Sequence, residues 1–147
     1  MKINSSTEAA MRAMIHAAVQ RDFPKLDERL RTLNDDNTAA ATVELALALV
    51  GFLMVDIHKG RPSDDQISAV AEEVAEAESW AQPTRREVAD FLMRLMRGEP
   101  FATAVPTENA IILAFVVAAN LLSSCRRDDE KWWDYLDRME AAMEAAR

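Results

Sequence analysis

A single cysteine, Cys125, excludes an internal disulfide, and two histidines, His16 and His58, leave little from which to build a transition-metal site. With three glycines and no run of alternating β-branched residues, the chain lacks the punctuation and the pattern of a β protein. No GxGxxG or P-loop pattern occurs, so the common phosphate cradles are missing. The longest apolar run, LALALVGFLMV at 45–55, has 11 residues, and Glu44 interrupts any extension toward the N-terminus. A spanning helix needs about 20. The opening MKINSSTEAAMRAM has no charged stretch followed by a hydrophobic one, so nothing resembles a secretory signal. These absences lead to the expectation of a soluble protein in a reducing, cytoplasmic setting, with no cofactor and no metal.

Excess positive charge is also missing. A formal net charge of −8 opposes nucleic acid and anionic membrane as partners, since both call for basic surface. The excess is localised. Residues 59–78 hold six acids against Lys59 and Arg61, and residues 128–147 hold seven against Lys131, Arg138 and Arg147. Elsewhere acids and bases balance.

The chain is rich in alanine and in apolar residues spaced at 3.6, which predicts an all-α fold in one domain, 1–147. Capping patterns at Ser5 to Glu8, Ser63 to Gln66 and Thr84 to Glu87 mark helix starts, because a hydroxyl and an acid or amide three residues apart satisfy two free N–H groups. Pro24 suits a first turn, while Gly60 and Gly98 suit helix ends. Seven helices follow, at about 5–21, 23–34, 38–58, 64–80, 84–97, 107–126 and 129–146. Between the fifth and sixth, Phe101 and Val105 are expected to tuck onto the core.

Helices 38–58 and 107–126 are apolar on all sides and are expected to be central, wrapped by the amphipathic ones. Small residues line each: Ala48 and Gly51 on the first, and Ala110, Ala114 and Ala118 on the second. These stripes are expected to meet. Glu44 is read as tolerated by the helix dipole or paired with an arginine, and Asn120 as a satisfied core amide. The order amphipathic, apolar, acidic recurs in each half, which suggests a three-helix pseudo-repeat.

Advancing by about 100° per residue along the last helix aligns Trp132, Leu136, Met139 and Met143, so Trp132 is expected in the core. Trp133 falls with Asp137, Glu140 and Glu144 and is expected at the edge of an acidic face. Such a ring is either a rim tryptophan or a binding anchor. With Glu72, Glu73 and Glu76 on the other acidic helix, these residues form the candidate partner-binding set. The methionine pairs Met11/Met14, Met93/Met96 and Met139/Met143 read first as core filler.

Catalytic chemistry is thinly provided. Ser123, Ser124 and Cys125 supply nucleophile types, but no base is identifiable, and neither histidine has the Glu-x-x-His companion of a carboxylate-bridged metal site. The reading is therefore not an enzyme but an acidic, bacterial-type regulatory module for a protein partner. A basic protein fits best, in the manner of an immunity protein or antitoxin; a homo-oligomer is compatible. The alternatives are a helical sensor of small apolar ligands, with its pocket between the central helices, and an enzyme whose site is assembled from distant residues.

Overall fold

The computed structural model describes residues 2–33, 36–99 and 107–146, and among them every regular element is helical. The order is α1 (Ser5–Val19), α2 (Phe23–Arg31), α3 (Asp36–His58), α4 (Asp64–Ala77), α5 (Arg85–Arg97), α6 (Thr107–Ser124) and α7 (Trp132–Ala145). A 3-10 turn, Ser79–Ala81, joins α4 to α5. The all-α bundle expected from the periodicity is thus what the chain forms. Phe101 and Val105 lie outside the described residues.

Local signals set most of the boundaries. The Ser63 to Gln66 box is complete: Gln66 N–H donates to Ser63 Oγ at 3.1 Å and Ser63 N–H to Gln66 Oε1 at 2.9 Å. At Thr84 the hydroxyl accepts from Glu87 N–H but donates to the Glu87 carboxylate, so only one backbone donor is satisfied. At α1 the cap is Asn4 rather than Ser5; its Oδ1 accepts from the N–H groups of Ser6 and Thr7. Gly98, at φ 67°, ends α5 in the left-handed conformation. At the end of α3 that conformation falls one residue before the glycine, on Lys59 at φ 57°.

α6 is the hub, packing against α1, α3, α4, α5 and α7. Phe115, Val116, Val117 and Leu122 are fully buried on it, as are Ala114 and Ala118. At roughly 1.5–3 kcal/mol for each large apolar side chain removed from water, this helix carries much of the driving force for folding. α1 and α3 flank it, α7 lies across α3 and α6, the α4–α5 pair closes another side, and α2 rests on α1. One hydrophobic core draws buried side chains from all seven helices. At the chain ends, Ile3 N–H lies 3.5 Å from Glu144 Oε2.

α3 departs from expectation. Its Leu45, Leu49, Val50, Leu53 and Met54 are buried, but Val55 is 43% exposed and Gly51 and Phe52 are only partly covered. No atom of a neighbouring element lies within 4 Å of where a Gly51 Cβ would stand. Ala48 and Gly51 therefore do not pack into the alanines of α6; they line an open recess against Leu95 and Met96 of α5. The reason is geometric: α3 packs chiefly on α1, α6 and α7, and on the flank of Ala48 and Gly51 the described residues that line it are Leu95 and Met96, near the C-terminal end of α5. By length and composition Asn37–His58 would suffice to cross a membrane, a test that core helices also pass. Glu44 does not break it, because the carboxylate projects from the exposed flank, and no arginine pairs with it among the described residues.

Candidate functional site

The entry to α7 is held by charge and by one phenol. Arg138 grips Glu130 with two bonds of 3.0 Å, its guanidinium lies 4.5 Å above the Tyr135 ring, and the Tyr135 hydroxyl donates to Asp56 of α3 at 2.7 Å. Arg138, reinforced by the Arg127 N–H, holds the Glu130 carboxyl down at about 2. Burial, reinforced by Asp56, pushes the Tyr135 phenol well above its usual range. The helix begins at Trp132, three residues later than the pattern predicts, because 127–130 form a turn closed by Glu130 N–H on Arg127 O.

At this start the two tryptophans separate. Trp132 is half-buried and stacks on His16 of α1, ring centres 5.9 Å apart and planes 20° from parallel. It lies on the core-facing line but in the first position of the helix, and packs against the edge of the core rather than inside it. Full burial goes instead to Tyr135, one turn on. Trp133 is 45% exposed and meets Trp132 edge-on at 5.7 Å and 83°. Its rim position agrees with the angular projection.

The acidic side of α7 is less open than the projection implies. Arg12 of α1 donates to Asp137 at 2.6 Å and to Glu140 at 3.0 Å, and also binds Glu8. Glu140 is buried, which corrects its place in the partner-binding set. Its flank of α7 turns toward α1, information that one helix's periodicity does not contain. Burial and the neighbouring Glu8 charge together raise Glu140 to about 7, against the pull of Arg12. Its Oε2 receives no hydrogen bond, and Glu8 is itself an acceptor when ionised. A proton on Glu140 lets its carboxyl donate to Glu8, which satisfies the buried oxygen.

Asp137 stays exposed although paired, and Glu144 is exposed near the chain's start. Glu72, Glu73 and Glu76 stand exposed on α4, without an ion pair among the described residues. The two acidic helices belong to different neighbourhoods: α4 packs on α5 and α6, whereas α7 packs on α3 and α6. The candidate set is thus brought together on α7 as Trp133, Asp137 and Glu144, with the α4 acids as a separate surface.

A second polar cluster had no signal in the pattern. Glu78, at the end of α4, is buried and accepts from Trp80 Nε1 at 2.8 Å and Asn120 Nδ2 at 2.9 Å, with the Arg21 guanidinium 3.8 Å away. Asn120 is a bonded core amide, as expected, but its partner is a carboxylate 42 residues distant. A recess of about 440 Å³ opens beside them. Ser124 there donates to the Asn120 carbonyl at 2.6 Å, and partial burial raises the Cys125 thiol, which keeps it a poor nucleophile. His58 bonds the Met54 carbonyl and His16 stacks on Trp132, so neither histidine serves the recess. Among the described residues no three metal-binding side chains cluster. No family model, curated protein or solved structure matches this chain.

Proposed function

We propose that the protein is an acidic, cytoplasmic binding module that regulates a basic protein partner, with Trp133 as its anchor. The single observation that carries this reading is the exposure of Trp133 edge-on against Trp132. Large aromatic rings are enriched at binding hot spots, and this one is braced edge-on by Trp132 instead of free to rotate, which lowers the entropy lost on docking. Asp137 borders it one turn on, and Glu144 stands exposed about 16 Å further along the same helix, where both favour a partner bearing arginine or lysine. Glu72, Glu73 and Glu76 act at longer range, raising the rate at which a basic surface is encountered.

The test compares capture of interacting proteins by the wild type and by Trp133→Ala, followed by calorimetry on the captured species. An anchor loses about 2 kcal/mol or more of binding on truncation while the thermal midpoint holds. Charge reversal at Glu72 and Glu76 slows association and weakens its salt dependence. Equal affinity for every captured partner by both proteins would remove the anchor, and a collapse of stability in Trp133→Ala would show that the ring supports the fold.

A further inference from the structure

α7 is held to α1 differently from the way it is held to α3 and α6. Tyr135, Leu136, Met139 and Met143 are buried in the core, whereas the hydrogen bonds that cross between α1 and α7 run through one guanidinium. Arg12 serves three carboxylates at once: Glu8 on its own helix, and Asp137 and Glu140 on α7. Glu140 is buried and its Oε2 receives no hydrogen bond, so full ionisation of the three leaves a buried acceptor without a donor. A proton on Glu140, donated to Glu8, supplies one. Among the described residues no other charged group fills that place. Asp137 is itself an acceptor, Glu144 one turn on lies against Ile3 N–H, and Asp56 of α3 is taken by Tyr135 and Arg138. Glu44 of α3 lines a separate recess with Lys2 and Ile3, and α6 carries no charged residue from 110 to 124.

The same seam continues to the tryptophans. His16 follows Arg12 by one turn of α1 and stacks on Trp132, which meets Trp133 edge-on. The brace behind Trp133 therefore stands on the helix that Arg12 ties to α7. We propose that the α1–α7 seam is a proton-operated latch, closed while Glu140 shares a proton with Glu8 and opened to water along the second half of α7 when that proton leaves. Opening lets the two helices shift against each other, and the ring stack at the other end of the seam loosens with it. Presentation of Trp133 is thereby tied to pH, firm on the acid side of the transition and slack on the alkaline side; this use of the latch rests on the reading of Trp133 as an anchor. Burial and the Glu8 charge, against the pull of Arg12, set the transition at about 7. The start of α7 stays docked throughout, because the Glu130 and Tyr135 groups that hold it titrate far from this window.

Amide exchange and nitrogen-edited spectra of the full chain, from about pH 5.5 to about pH 8.5, read the latch without any partner. Protection of residues 138–145, corrected for the intrinsic rise of exchange with pH, falls about tenfold or more across the transition, while that of α4 holds. The Trp132 and Trp133 indole signals move with the same midpoint, and that of Trp80 does not. Glu140→Gln and Glu8→Gln each place an amide N–H where the proton stood, from opposite sides of the seam, and each keeps it closed at every pH. His16 keeps its imidazole in both variants, so an indole shift that persists in them arises from that ring and overturns the proposal. Protection of 138–145 that stays level in the wild type overturns it too, whatever becomes of the anchor. With a captured partner, wild-type affinity falls above the transition and that of Glu140→Gln does not. A seam that opens while affinity stays level overturns the link to Trp133 alone.

Discussion

α3 and α6 have nearly the same composition, yet they meet different fates. Both are apolar all round, both carry small residues at helical spacing, and both suggest a core position. α6 is enclosed by five neighbours, while among the described residues α3 is packed on one side and only partly covered, by the end of α5, along the other. Apolarity states what a helix needs; coverage depends on how many other helices reach it. A flank that stays open is a cost in one chain and an asset where a second surface meets it.

The most severe way to probe the contrast is to cut large side chains from each helix. Phe115→Ala on α6 should cost about 3–5 kcal/mol, the usual range for a fully buried aromatic, whereas Phe52→Ala on α3 should cost less than about half of that. Urea unfolding of dilute protein, below any association, reads both. Equal losses would mean that the α3 flank is covered after all.

A covered charge offers a second, pH-dependent probe. Glu140 has its folded value raised to about 7, so the native state binds more protons than the unfolded chain between that value and the ordinary carboxyl range. Stability therefore falls as pH rises through this window. Glu140→Gln removes the ionisation and should raise the thermal midpoint at about pH 8, with the gain shrinking toward about pH 5 as the wild-type carboxyl takes up its proton. A gain of the same size at both ends would show that the carboxyl does not titrate in this window. Glu130 works in the opposite sense: its lowered value adds stability that is lost as pH falls through the carboxyl range toward about 2.

The smallest expected effect sharpens the comparison most. Gly51→Ala places a methyl in open space on a helix interior, and should stabilise the monomer by about 0.5–1 kcal/mol through helix propensity alone. Were the small stripes of α3 and α6 in contact, the same change would destabilise. A chemical melt of wild type and Gly51→Ala side by side decides the sign.

Much of the fold is legible in the residues because its signals are local. Ser63, Thr84 and Gly98 mark helix ends through bonds reaching only three or four positions, and the exposure of Trp133 follows from angular position on one helix. What stays hidden depends on neighbours. Glu140 and Trp133 occupy the same side of one projection, yet α1 covers the first and leaves the second open. Trp132 shares a line with Leu136 but stands at the core's edge, only partly buried, which no periodicity records. The bond between Glu78 and Asn120 joins residues 42 apart, with no pattern to announce it.

The approach of Ile3 to Glu144, tightened by the grip of Arg12 on Asp137, has a consequence for folding kinetics. Docking α1 on α7 closes a loop of nearly the whole chain. The entropy of closure grows only with the logarithm of loop length, so the native state bears it easily, but a search over such separation slows the route there. Helices α4 and α5, neighbours in sequence and in space, can associate before that distant contact forms. In a circular permutant that joined the two ends through a short linker, the slowest contact in this topology would become one of its most local.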